Sequence, residues 1–259
     1  MKPELFIGSS VEGLDIAEAI QSKLNHNFNI NLWTDGVFNI GSTTIDDLIE
    51  QLNKSDFGIF VFSDDDISKI RGVEYSTVRD NVLYELGLYT GKLGRYNTFI
   101  IKPSNSSQLH LPSDLTGIYV GVYDSSQIGN PESAVSSFCS QIKRQIFNNT
   151  KNALGGKWIL SWNVTDSNNI KHIITEELDV FHYRNTIKFL HIFEKQNYIF
   201  SGEFKPPYFT GVWKDTKGIG YEGTFQMKLN GQANKFEGMW IGWSNGAGIK
   251  SDICSLTKL

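Results

Sequence analysis

Two cysteines, Cys139 and Cys254, are too few and too far apart for a disulfide framework or a metal cluster. A reducing, cytoplasmic setting is the simplest expectation. No apolar run approaches the ~18–20 residues of a membrane span, and the N-terminus, Met1-Lys-Pro-Glu-Leu-Phe-Ile7, enters a strand pattern without a signal-peptide core. Neither membrane insertion nor export is expected. Lys/Arg-rich blocks are missing too, and the formal charge is only −4, so a DNA or RNA polymer is not expected as the main partner. Small nucleotides stay open. The G-x-G-x-x-G spacing of a dinucleotide cofactor site is also missing, and neither a cofactor nor a bound metal is expected.

What is present is an ordinary globular composition, 40% hydrophobic and 20% charged, in 259 residues, a length that favours two domains. The first half alternates short apolar runs with helix-length amphipathic segments. Strands are predicted at Leu5 to Ile7, Asn29 to Trp33, Phe57 to Phe62, Thr98 to Lys102 and Ile118 to Tyr123. Helices are predicted at about Glu12 to Leu24, Thr44 to Lys54, Thr77 to Leu93 and Glu132 to Phe147. This is the pattern of buried parallel strands joined by crossover helices, so the expected fold class is α/β, a flavodoxin-like five-stranded parallel sheet. Ligands of such sheets gather beyond the carboxyl ends of the strands, at the switch in strand order.

From Asn148 to Gly156 the chain turns Asn/Gly/Lys-rich and reads as a linker, giving expected domains at 1–150 and 156–259. Beyond it the period changes, with eight candidate strands between turn signals such as Pro206-Pro207 and Asn230-Gly231. The second domain is expected to be all-β, an antiparallel barrel of eight strands. It carries an aromatic-x-Gly-x-aromatic motif four times: Phe200-Ser-Gly-Glu-Phe204, Phe209-Thr-Gly-Val-Trp213, Tyr221-Glu-Gly-Thr-Phe225 and Phe236-Glu-Gly-Met-Trp240. The marked positions share one strand face. Either the glycines let strands curve beneath covering rings, or the gaps open a ligand cavity, since an eight-stranded barrel holds side chains or one small ligand.

Chemistry-bearing residues of the first half cluster after the strands. Gly8, Ser9 and Ser10 lie in "GSSVEG", a turn opening a helix, which serves as a helix cap or as an anion cradle. Trp33 and Asp35 lead a long glycine-containing loop; the indole either ends a buried strand or stacks on a flat ring. Asp64, Asp65 and Asp66 cannot all face one ion from a single turn, so a solvated loop or helix cap is expected there. In "RDNVLYELGLYTGKLG", Arg79 to Gly94, Thr77 and Asp80 suggest a helix cap, and Asn81 and Glu85 share a helix face. Glu85 interrupts an apolar turn. It is either a structural ion pair with Arg79 or Arg71, or a functional carboxylate. Asp114 and the five histidines form no constellation.

The segments "FIGSS", "GVF..G.TT", "SDFGIFVFSDDD", "RDNVLYELGLYTGKLGR" and "LPSDLTGI" resemble the bacterial TIR-like family of nucleotide-binding domains over about residues 3 to 147. Within it they are most similar to the TIR domains of TIR-STING effectors of CBASS anti-phage defence, which cleave NAD⁺ when a cyclic dinucleotide drives their assembly. The resemblance implies that Glu85 is the catalytic glutamate and that NAD⁺ is a substrate. It further implies that Trp33 stacks near the nicotinamide, that Gly8, Ser9 and Ser10 lie near ribose or phosphates, and that Asp35, Asp64, Arg79 and Asn81 orient substrate. The second half departs from a STING domain. By pattern it resembles a small barrel sensor of other CBASS effectors, which implies a cyclic di- or trinucleotide received by Trp213, Tyr221 and Trp240, and self-association into an oligomer or filament. A non-enzymatic TIR signalling module and an N-glycosidase acting on another nucleotide are the alternative readings.

Overall fold

The computed structural model describes residues 2–34, 44–70, 72–106, 109–112, 115, 118–147, 154–165, 170–193, 196–218, 220–244 and 248–259. Asp35, Arg71 and Asp114, singled out above, lie outside them. Two compact units divide the chain, residues 2–145 and 146–259.

The first unit runs β1 (Glu4–Gly8), α1 (Leu14–Leu24), β2 (Asn29–Leu32), α2 (Thr44–Lys54), β3 (Phe57–Val61), β4 (Asp66–Ile70), β5 (Val73–Thr77) and α3 (Asp80–Leu93). It continues with β6 (Thr98–Pro103), β7 (Leu109–His110), β8 (Tyr119–Tyr123), α4 (Pro131–Ala134) and α5 (Ser136–Phe147). Five of these strands form a parallel sheet in the order β2-β1-β3-β6-β8, the flavodoxin-like arrangement expected. The central strands read as continuous apolar runs because both faces are covered: Leu5, Phe6, Ile7, Ile59, Phe60, Val61, Phe99, Ile100 and Ile101 are all buried. Strand order reverses between β1 and β3, and the crevice beyond their carboxyl ends is where the candidate residues fall.

Three local expectations are corrected. Asp64 is exposed outside any strand, but Asp66 opens one: Asp66–Ile70 and Val73–Thr77 form the antiparallel pair β4–β5, which β7 extends in parallel. The β-branched run on either side of Gly72 is a hairpin signal that outweighs the acidic prefix, and Gly72 takes the φ of +86° that its turn requires. Thr77 therefore caps no helix. It ends β5, its hydroxyl meeting Ser68 Oγ at 3.1 Å, while α3 starts at Asp80 after Arg79, without a side-chain cap. The last helix is split in two at Val135, because Pro131 and the Asn130 cap start a short helix of their own.

The second unit is a closed antiparallel barrel of eight strands: β9 (Gly156–Thr165), β10 (Lys171–Tyr183), β11 (Thr186–Phe193), β12 (Gln196–Lys205), β13 (Tyr208–Asp215), β14 (Glu222–Leu229), β15 (Lys235–Ser244) and β16 (Gly248–Lys258). β16 pairs back onto β9, so no strand edge is left open. Its interior is packed with rings, Trp158, Phe189, Phe200, Phe209, Phe225 and Phe236 among them. The repeated glycines sit where neighbouring strands approach most closely. Gly202 faces Gly211, and a Cβ on Gly202 would collide with the Thr210 carbonyl; one on Gly238 would collide with the Gln226 carbonyl. Of the two roles open for these glycines, strand curvature accounts for them directly.

Gly238→Ala should therefore cost roughly 2 kcal/mol or more, lowering the melting temperature of the full chain by several degrees. Gly231→Ala, at a turn with open space around it, should leave the melt unchanged. Equal melts for the two variants would show that the close strand approach has no energetic weight.

Candidate functional site

β1 ends at Gly8, which pairs with Phe60 of β3, and the turn beyond it is bound to its neighbours by side-chain hydrogen bonds. Trp33, just after β2, donates its indole N–H to Ser9 Oγ at 2.9 Å. Ser10 Oγ lies 3.1 Å from Ser63 Oγ and accepts from the Gly13 amide at 3.2 Å. Both serines are buried. The crevice floor is thus held from three strand ends at once. Ser10 closes the turn before α1, whose N-cap is Gly13 without a side-chain cap, and Trp33 is half-buried against the core with its ring anchored to Ser9.

α3 brings Glu85 to this floor. Val82, Leu86 and Tyr89 bury one side of the helix, with Tyr89 stacked on Phe6 at 4.8 Å and edge-on to Phe60 at 5.3 Å. That packing fixes the helix rotation and turns Glu85 toward Gly8. A Cβ added to Gly8 would lie 2.9 Å from Glu85 Oε2. Oε2 is buried and has no hydrogen-bond partner among the described residues. Burial pushes the Glu85 carboxyl up to about 7, with no cation among the described residues offsetting the lost hydration. Arg79 does not partner it: its guanidinium lies 3.5 Å from Glu12 and 3.9 Å from Asp66. Glu85 is accordingly a carboxylate whose charge lacks a described protein partner.

The remaining predicted residues spread around this centre. Asn81, one turn before Glu85, is exposed, as are Asp64 and Arg79. Asp65, next to Asp64, carries both carboxylate oxygens buried without a described partner, and with Asp64 it helps burial push Tyr123 up to about 12. Only the odd placement of three acids directly after a buried strand hinted at Asp65. No cluster of three His, Cys, Asp or Glu suited to a metal occurs among the described residues, and no described helix is long and apolar enough to cross a membrane.

The barrel contains a second concavity, of about 160 Å³, and Trp213, Tyr221 and Trp240 all line it. Trp162 stacks on Trp240 at 4.8 Å, and Trp213 meets both edge-on at 5.8 and 5.7 Å. Trp240 donates to the Asn163 carbonyl at 3.0 Å, whereas the buried Trp213 N–H has no described acceptor. Trp162, Tyr198 and His191 also line the space without having been singled out. His191 is buried, its Nδ1 2.5 Å from Glu176 Oε2. Alternate-residue spacing along β9 and β12 was the available signal for the aromatic pair; nothing in the spacing marked the histidine.

An unpartnered buried carboxylate has a thermodynamic signature. With its folded-state pKa raised from 4.5 to about 7, Glu85 holds a proton in the native state that the unfolded chain has already lost, so stability falls as pH rises across that window. The full loss is on the order of 3 kcal/mol. Glu85→Gln should therefore melt several degrees above the parent at pH 8, with the gap narrowing toward pH 5. A gap independent of pH would mean that the carboxylate is solvated or paired.

Residues 4–125 match the family model described as CAP12/Pycsar effector protein, TIR domain. Similar relatives include the Pycsar effector protein PaPycTIR of Pseudomonas aeruginosa, 41% identical over 146 residues, covering 56% of this chain and 47% of the relative. CD-NTase-associated protein 12 of Flavobacterium daejeonense is 42% identical over 124 residues, 48% of this chain and 39% of the relative. The protein of the same name from a Lachnospiraceae bacterium is 34% identical over 155 residues, 58% of this chain and 48% of the relative. The chain spans about half the length of the relatives it matches. Residues 4–125, which have the α/β TIR fold, are thus similar to the TIR domain of CAP12/Pycsar effectors, and in this chain an eight-stranded barrel follows them.

Proposed function

We propose that this protein is a ligand-activated NAD⁺ glycohydrolase effector of bacterial anti-phage defence. In this reading the TIR domain cleaves the nicotinamide–ribose bond with Glu85, and the barrel receives the activating cyclic di- or trinucleotide. The carrying observation is the buried Glu85 carboxylate, unpartnered among the described residues, at the β1/β3 switch point. The match to TIR effectors gives that position a chemical context.

The chemistry suits such a group. When the C1′–N bond of NAD⁺ breaks, its electron pair leaves with neutral nicotinamide, so strong acid assistance is not needed. Positive charge develops on the ribose instead, and a preorganised carboxylate in a poorly hydrated site stabilises it. Water then adds to C1′ and releases its proton. The positive nicotinamide ring of the bound substrate favours the ionised form of Glu85, offsetting the burial that raises its pKa. Trp33, held by Ser9, offers a fixed ring for stacking; Gly8, Ser9 and Ser10 form the floor under the ribose and phosphates. Asp64, Arg79 and Asn81 orient the substrate from the rim, and Asp35 belongs to the same set.

For the barrel, aromatic walls offer stacking faces to a nucleobase. At about 160 Å³ the cavity is below the roughly 300–1,000 Å³ of pockets enclosing drug-sized ligands. One base enters, leaving the sugar–phosphate ring at the mouth, near Lys250. This makes the barrel a sensor and the TIR domain the responder.

Purified protein incubated with NAD⁺ and a panel of cyclic di- and trinucleotides should release nicotinamide with one of them. Glu85→Gln should abolish release while keeping ligand binding, and Trp213→Ala should lose the response to the ligand. The value of kcat/KM should fall about tenfold per unit below pH 7 and level off above it, since the free enzyme must be ionised. Gly8→Ala, which pushes on the carboxylate and the Phe60 ring, should cost about a hundredfold in kcat with the fold retained. Undiminished turnover in Glu85→Gln would overturn the assignment of Glu85. Undiminished defence by that variant would favour a scaffold role, and release of a different base would favour another nucleotide as substrate.

A further inference from the structure

An antiparallel barrel wall ordinarily alternates apolar residues inward with polar residues outward. β14 keeps the rule, turning Glu222, Thr224, Gln226 and Lys228 outward. β15 and β16 break it. Met239, Ile241, Trp243, Ile249 and Ile253 all point away from the core and are 48–59% exposed. The register joins them into one surface: Met239 lies beside Ile253, Ile241 beside Ser251 and Trp243 beside Ile249. Val212, also half exposed, continues the patch across Thr224.

We propose that this outer face of β15 and β16 is a two-fold interface, occupied by the same face of a second copy of the chain. Size is the first argument. Six half-exposed apolar side chains offer on the order of 600 Å², at the upper limit of the roughly 300–600 Å² a monomer ordinarily shows and close to the ~800 Å² each partner gives a stable interface. Charge is the second. The outward positions from Met239 to Trp243 and from Ile249 to Thr257 carry no ionisable side chain. Flanking lysines stand beside carboxylates: Lys235 lies 2.6 Å from Glu237, Lys214 is opposite Glu222 and Lys228 opposite Glu237 in the strand register. Lysines interleaved with carboxylates in this way do not form the basic cluster that anionic lipid or nucleic-acid phosphate selects. An uncharged apolar centre within a balanced polar rim is the composition of a protein–protein interface.

Shape selects a copy of the same face. Along β16 the outward series Ile249, Ser251, Ile253 is large-small-large, with Ile241 directly across from the small residue. A two-fold axis near the Ile241–Ser251 pair sets each Ile241 into the recess at the partner's Ser251, the self-complementarity that an isologous contact requires. Face-to-face sheets pack in this way. The inference is independent of the NAD⁺ reading, because it uses no residue of the TIR domain.

The full chain should sediment at twice the 29.2 kDa of one chain at concentrations of about 10–100 µM, the range expected for an interface of modest size. Ile241→Lys should shift it to the single-chain mass with an unchanged circular dichroism spectrum, whereas Val120→Lys, at an exposed valine of the other unit, should not. Ser251→Cys should be joined between copies by a short bifunctional maleimide, as both native cysteines are buried. A single-chain mass throughout with no Ser251→Cys cross-link, or a dimer that survives Ile241→Lys, overturns the proposal. Flotation with vesicles of phosphatidylglycerol and phosphatidylethanolamine that is lost in Ile241→Lys also overturns it, assigning the face to lipid. Glu85→Gln should dimerise as the parent does, so a failed NADase assay and a failed dimer assay remain separate results.

Discussion

A carboxylate can be held away from water at the edge of a parallel sheet only if the backbone facing it leaves room and the helix carrying it cannot turn away. Gly8 supplies the room: any side chain there would press on Glu85 and on the Phe60 ring. Tyr89, wedged between Phe6 and Phe60 one turn later, supplies the restraint. The order of strands, the small residue ending β1 and the aromatic layer under α3 are therefore parts of one arrangement. Its energetic burden falls on the core, which must outweigh the desolvation of Glu85. Such local strain against burial rules marks sites where chemistry rather than stability has set the residue.

The same arrangement orders the rest of the crevice. A loop after β1 is ordinarily free to adjust, yet here Ser9 and Ser10 tie it to Trp33 and to Ser63, so three strand ends move as one. Rigidity of this kind suits the proposed NAD⁺ cleavage, whose catalysis would be mostly electrostatic, since donors and charges already in position need no reorganisation as a transition state forms. It also explains why Arg79 is drawn to Glu12 and Asp66 at the rim. A guanidinium beside Glu85 would hold the carboxylate pKa low and neutralise the charge that the proposed reaction uses.

Much of this was legible in the sequence, and for physical reasons. Runs such as Phe57 to Val61 and Phe99 to Ile101 are apolar throughout because strands covered on both faces have no polar side to show, so the five-stranded parallel sheet followed from their spacing. Glu85 stood out for the converse reason, a charge in an apolar turn. The β4–β5 hairpin was not legible because Asp64-Asp65-Asp66 and Thr77 carry loop and cap signals of their own, which the β-branched residues between them override only once paired. The hydrogen bonds joining Ser9 to Trp33 and Ser10 to Ser63 depend on strands far apart in the chain, and local pattern does not encode them. In the barrel, alternating rings announced eight strands, but His191 against Glu176 is a long-range pair that no spacing reveals.

Glycine plays opposite parts in the two units, and the contrast explains the barrel. At Gly8 the missing side chain makes space for a charge; at Gly202 and Gly238 it lets backbones close on each other, and at Gly223 and Gly242 it seats the indole of Trp213. Tight closure of the wall concentrates the rings at one place, where they border a cavity rather than fill it. Trp243 stands on both sides of that wall, bordering the cavity and projecting into the outer apolar face. In the proposed reading, a ligand touching Trp243 from within also bears on the outer face, so occupancy inside and pairing outside would be coupled through one side chain, and that coupling would be reciprocal. Because one chain joins each barrel to its TIR domain, the proposed pairing of barrels would raise the effective concentration of one TIR domain for the other without any new contact between them.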